Sequence, residues 1–406
     1  MNPRRALIAL PAALALLSLI ACAETSPAAE TPPAAKSAEP NGAAGHGEVR
    51  GAAEVAEPPL ALLTIDEHGG AGLLDLLDGQ AEQLAEVAPP LALASDGRYA
   101  FVSVAGGVEI VDSGRWTWDH VDHFHYYRAE PRTVGLLPGD GAARVSTGML
   151  STAGTTGVFF PGSGEAVLLD NAALSRGEIV EVFRIETGSD DAVIAPLGDR
   201  AVISTTHELV LHDSDGRATG ATAPCTGASG TLTTRVGLVV GCDGGAVLIS
   251  GGADPVFEEI PYPAGVDAAR TGDFAGRKGR PTIAAAAAPS GFWLLDTRER
   301  AWQHVATEVP LLRVVAADDA EGHVVALDAE GRVRVYRAET GEQIGATDPL
   351  VADVSGGIAL TLDDQRAYLN DPARNAVHEI AYAGEVRVAR TLEPRTPPYV
   401  MAEVGR

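Results

Sequence analysis

Beyond about residue 59, short β-branched runs alternate with Asp-Gly, Gly-Gly and Pro-Gly turns every ~8–12 residues, and the runs repeat as larger units. Residues 91–95, 99–105 and 108–112 give strand, turn, strand, turn, strand around Asp96-Gly97. The same plan returns at 193–196, 200–205 and 209–212, at 314–317, 323–327 and 333–336, and at 358–361, 366–370 and 376–380. A period of ~40–45 residues with four strands per unit marks propeller blades, which must stack because none buries its apolar face alone. Units begin near residues 91, 144, 191, 229, 268, 311 and 354, which is seven, and 59–88 is a partial unit without its first strand. The run 399–404 can supply that strand. The sequence therefore predicts an all-β fold, a single β-propeller of eight blades over 59–406, its ring closed by a C-terminal strand. Seven blades is the alternative, if one of the irregular copies 144–187, 229–261 or 268–309 is an insertion. Size alone, at 406 residues, suggests two or three domains, but the repeat assigns the strands to one ring with no exposed sheet edge. No stretch of ~12 residues carries a capped 3.6-residue apolar period, and the alanine run 284–288, bracketed by Pro281 and Pro289, reads as a buried strand.

The first residues carry a different message. Arg4 and Arg5 precede an apolar stretch over 6–20, and the string Leu19-Ile20-Ala21-Cys22 resembles a bacterial lipobox. Residues 1–21 are expected to be a lipoprotein signal peptide and Cys22 the lipidated first residue of the mature chain. An ordinary secretory signal with a chance cysteine is the alternative. Residues 22–58, rich in Ala, Pro and Glu and without an aromatic residue, read as a flexible tether. The protein is thus expected outside the cytoplasm, lipid-anchored to the bacterial cell membrane, as a monomer. Its formal net charge is -25, with only Lys36 and Lys278 against 28 Arg and no basic stripe, which argues against nucleic acid as a partner.

Cys225 and Cys242 are the remaining cysteines. Outside the cytoplasm an even pair favours a disulfide; a two-cysteine metal site is the rival reading. Histidine is concentrated elsewhere. Three of the ten histidines fall in Asp119-His120-Val121-Asp122-His123-Phe124-His125. Imidazole is a preferred zinc ligand, and a carboxylate can bind the ion or orient a ring. On an extended backbone His123 and His125 share a face, and His120 joins them if the chain turns near Val121-Asp122. His120, His123, His125, Asp122 and Asp119 are therefore the candidate metal ligands, in a connection longer than a blade turn needs. His68, His207, His212, His304, His323 and His378 read as structural, as do the acid pairs Asp318-Asp319 and Asp363-Asp364 at turns. No Gly-x-Ser-x-Gly elbow, phosphate loop or His-Glu-x-x-His helix is present, and no catalytic residue is assigned.

The segment Trp118-Asp119-His120-Val121-Asp122-His123-Phe124-His125-Tyr126-Tyr127-Arg128-Ala129-Glu130-Pro131 resembles the histidine loop of AztD-type zinc metallochaperones. The last blade, Arg366-Ala367-Tyr368-Leu369-Asn370-Asp371-Pro372 with Val377-His378-Glu379-Ile380, is similar too, as are the positions of Cys225 and Cys242. The resemblance implies an extracytoplasmic propeller, not an enzyme, that binds Zn2+ and delivers it to the substrate-binding protein of a zinc ABC importer. A metal-independent interaction propeller of the envelope is the first alternative, and a hydrolase with a metal-activated water in the central channel the second.

Overall fold

Aspartates at the strand ends build the turns that set the repeat. Asp96 Oδ1 accepts the N–H groups of Arg98 at 2.8 Å and Tyr99 at 2.7 Å, with Gly97 at φ +91° between them. Asp328 does the same for Glu330 and Arg332, and Asp363 for Gln365 and Arg366. A carboxylate that folds back on the next backbone N–H groups stabilises a tight turn, and glycine carries the left-handed conformation at no steric cost. The structure, a computed structural model, describes residues 47–119 and 123–406. The expected signal peptide and Cys22 lie outside them.

Eight four-stranded antiparallel sheets follow one another along the described chain. Seven start at Ala92, Arg144, Ile194, Ser229, Arg270, Leu311 and Leu360, close to the seven starts expected from the repeat. The eighth consists of Ala61–Ile65, Ala71–Asp75 and Ala81–Gln83 with the distant strand Val400–Val404. Ala61 stands opposite Val404 and Ile65 opposite Val400, so the C-terminal strand closes the ring as expected. The fold is an eight-bladed β-propeller.

Neighbouring blades are joined through their sheet faces. Tyr99, Phe101, Val108 and Ile110 of one blade pack with Val158, Phe160, Val167 and Leu169 of the next, all buried. Each such side chain contributes roughly 1.5–3 kcal/mol when fully buried. The alanine run is the strand Thr282–Ala287, where Ala285 lies opposite Trp293 and Ala286 opposite Phe292, small residues leaving room for large ones. Among the described residues helix is confined to Asn171–Arg176, capped by Asp170, and a 3-10 turn at Pro372–Arg374, and neither is long and apolar enough to cross a membrane. The irregular copy at 144–187 owes its irregularity to that short helix, inserted between its third and fourth strands.

Cys225 and Cys242 form a disulfide with Cα atoms 5.2 Å apart, inside a core that includes Leu209, Leu238 and Val240. The bridge settles the choice against a two-cysteine metal site. A closed loop of this size is worth about 3 kcal/mol in the chain-entropy picture.

A three-stranded sheet stands apart from the ring. The hairpin Arg115–Asp119 and Phe124–Arg128 interrupts the blade that starts at Ala92, between its third and fourth strands, and Ala53–Val55 pairs along the hairpin's second strand. The tether expected over 22–58 therefore needs correction within its described part. Residues 53–55 are a strand, and the Trp116 indole N–H donates to the Gly47 carbonyl at 2.9 Å. The segment has no aromatic residue of its own and uses the hairpin's Trp116, while its strand covers an otherwise open edge.

Candidate metal centre

Strand register decides what the hairpin presents on each side. Trp118 stands opposite His125, Trp116 opposite Tyr127 on one strand, and Glu54 opposite Tyr127 on the other. With alternating side chains, Trp116, Trp118, His125, Tyr127 and Glu54 share one face, and His123 joins it two residues before His125. The opposite face carries Arg115, Thr117 and Asp119, and these tie the hairpin to the ring. Arg115 bonds Asp75 at 2.5 Å and the Thr117 hydroxyl donates to the Gly405 carbonyl at 2.7 Å. Asp119 bonds Arg235, a residue of a different blade. Arg128 also reaches Asp75, at 3.4 Å.

On the histidine face, His123 Nε2 and His125 Nε2 are 2.9 Å apart, and His125 Nδ1 is 2.7 Å from Glu54 Oε1. A carboxylate beside Nδ1 assigns the proton to that nitrogen and leaves Nε2 with its lone pair exposed toward His123. His123 Nε2–H then donates to His125 Nε2, so two imidazoles share a single proton between them. A tetrahedral zinc with Zn–N near 2.0–2.1 Å separates two ligand nitrogens by about 3.3 Å. The observed separation is about 0.4 Å shorter than that of such a ligand pair.

The local field favours a cation. The Tyr127 phenol is pushed up first by burial and then by the charges of Glu54 and Glu48. The ring itself stacks on Trp116, centroids 5.3 Å apart, which fixes one end of the face.

Of the five sequence candidates, the structure brings His123 and His125 together. Asp119 lies on the opposite face, bonded to Arg235. His120 and Asp122 lie outside the described residues. Among the described residues no group of three or more His, Cys, Asp or Glu side chains is placed to hold a metal ion. Sequence reasoning missed Glu54, which sits in the segment read as tether. A three-residue strand is too short to show alternation, so nothing in its own pattern marked it. Three of the other histidines are engaged elsewhere: His323 bonds Asp319 at 2.6 Å, His212 the Gly216 carbonyl at 3.0 Å, and His304 lies against Trp293. Asp319 and Asp363 accept backbone N–H groups of their own turns, whereas the Asp318 carboxylate accepts from the Thr282 hydroxyl.

No protein-family model matches the chain. Among solved structures, AztD from Citrobacter koseri superposes with a TM-score of 0.71 at 20% identity, covering 85% of this chain and 97% of that one. This chain has an AztD-type fold. The apo form of the same Citrobacter koseri AztD gives 0.70 at 19% identity with the same coverage. The dihydro-heme d1 dehydrogenase NirN in complex with DHE is a more distant neighbour, with a TM-score of 0.54 at 15% identity over 86% of this chain and 76% of that one. The likeness spans nearly the whole length of AztD.

Proposed function

We propose that this protein is a zinc-binding metallochaperone, anchored outside the cytoplasm through Cys22, that passes Zn2+ to the substrate-binding protein of a zinc ABC importer. The observation that carries this reading is the pair of imidazole nitrogens 2.9 Å apart, one ring held on its far side by Glu54. His123 and His125 supply two ligands, and His120 and Asp122 of the same loop supply the others. Glu54 holds the His125 tautomer and raises the basicity of its Nε2. Asp119, through Arg235, holds the hairpin on the ring. The AztD-type fold and the resemblance of the histidine loop support zinc as the cargo.

Binding moves the His123 proton from Nε2 to its own Nδ1, so that both neutral rings offer an Nε2 lone pair to zinc. Release to a partner follows by associative ligand exchange. His123 is exposed, so an incoming protein ligand can attach before the outgoing histidines let go. A site of imidazole and carboxylate also accepts copper, so selectivity rests on geometry and metal supply.

Mixing the zinc-loaded protein with the metal-free substrate-binding protein of a neighbouring transporter tests this mechanism. The transfer rate is expected to rise with acceptor concentration and to exceed release into a chelator. A rate that ignores acceptor concentration and equals simple dissociation contradicts direct transfer. Partner binding that is unaffected by removing zinc points instead to a metal-independent interaction propeller.

A further inference from the structure

Because the strands of a blade are antiparallel, the turns joining first to second and third to fourth strands fall at one end of the ring. The histidine hairpin, inserted between third and fourth strands, leaves the ring at that end. At the same end, residues 148–155, 196–198, 233–238 and 249–252 of three successive blades line a groove of about 350 Å³. Met149, Leu150, Leu197 and Val236 are half-buried in it, so part of its apolar wall is uncovered.

The charge of the groove is opposite to that of the chain. Asp and Glu make up 55 of the 406 residues, yet no acidic side chain is among the described residues that line it. The one charged residue among them is Arg235, and Arg200 stands at the rim, donating to the Gly252 carbonyl at 2.6 Å. The Arg235 side chain is 45% exposed, and the carboxylate it bonds is Asp119, at the end of the hairpin strand Arg115–Asp119. The groove therefore joins uncovered apolar surface to a cation whose counter-ion is borrowed from the hairpin.

We infer that this groove docks an extended segment of a second protein, with aliphatic side chains on the apolar wall and one carboxylate on Arg235 in place of Asp119. Arginine recognises a short acidic motif because its planar guanidinium takes a carboxylate through two parallel bonds. A basic segment would meet Arg235 and Arg200 without a compensating acid. Exchange of one carboxylate for another is easy here, since exposed ion pairs contribute only about 0–1 kcal/mol. Arg115 on Asp75 keeps the base of the hairpin on the ring, so docking frees only its far end. That this release loosens the histidine site is a consequence resting on the metallochaperone reading; the docking itself does not need it.

Calorimetric titration of the metal-free, full-length protein with acetyl-Ala-Leu-Glu-Leu-Ala-amide tests docking apart from any zinc chemistry. Saturable binding of one peptide is expected, and the peptide with Gln in place of Glu is expected to bind about tenfold more weakly. Ser250 lines the groove, and Ser250→Asp supplies the carboxylate it lacks, whereas Ser250→Lys adds a cation. The first is expected to weaken binding by about two- to fivefold and the second to strengthen it by as much. Opposite shifts cannot come from loss of the fold. Asp119→Asn removes the competitor for Arg235 and is expected to strengthen binding by about two- to fivefold as well. Absence of saturable binding overturns the inference, as does equal affinity for the Gln peptide, or Ser250 variants that shift affinity in the same direction. Unchanged affinity in Asp119→Asn overturns the exchange on Arg235. Binding that appears only after deletion of residues 23–46, or a sedimentation mass that drops on Ser250→Asp, makes this chain or a second copy the occupant and overturns the second protein.

Discussion

Replacing Asp112 with Ala lowers the stability of the protein by about 3–5 kcal/mol, the range for stripping a partner from a buried ion pair. Arg98 is only 1% exposed, and its guanidinium bonds both oxygens of Asp112, at 2.9 and 2.8 Å. It also lies over the Trp116 ring, 3.8 Å from its centroid. Once Asp112 is gone the charge remains buried without the carboxylate bonded to it. Asp112 Oδ1 accepts the N–H of Gly114 as well, at the entry to the hairpin, and Arg132 reaches Oδ2 at 3.3 Å. The damage thus reaches the base of the histidine hairpin. Denaturant unfolding of Asp112→Ala measures the loss, and Asp191→Ala is the control. Asp191 is 73% exposed in its pair with Arg144, and such pairs contribute about 0–1 kcal/mol. Equal losses in the two variants would show that burial of the Arg98 pair is irrelevant.

Glu54→Gln is expected to weaken zinc binding by about 10–100-fold while leaving the fold intact. Carboxylates that hold a metal-binding imidazole from behind have effects of this size, because they fix the tautomer and raise ligand basicity. The Glu54 carboxylate lies 2.7 Å from His125 Nδ1 yet its side chain is 58% exposed, so its removal disturbs little packing. An amide can offer its N–H₂ to that nitrogen and stabilise the opposite tautomer, which places a proton on Nε2 where the ion must bind. Competitive titration reads the affinity, and the unfolding midpoint reads the fold. Unchanged affinity would remove Glu54 from the site.

The ring was legible because its signals are local. Asp-Gly turns and period-two strands repeat within each blade, and the missing first strand of 59–88 pointed to the run that becomes Val400–Val404. The histidine cluster was legible for the same reason, as residue types in one loop. What the sequence hid depends on register across distance. Glu54 meets His125 from 71 residues away, through a strand of three residues. Asp119 adjoins the histidines in sequence, but the pairing of Trp118 with His125 turns it to the other face, where Arg235 holds it. Composition marked 22–58 as unable to fold alone. It could not show that residues 53–55 complete a sheet whose other strands lie some 60 residues on.

Zinc affinity of the unmodified protein, set against the variant in which His120, His123 and His125 are all Ala, measures the function most directly. A competing chromophoric chelator reports free zinc for both. One zinc per chain is expected to bind the unmodified protein, with affinity lost by at least about a hundredfold in the variant, since two or three ligands disappear together. Equal affinity in the two proteins would contradict a zinc site at the hairpin.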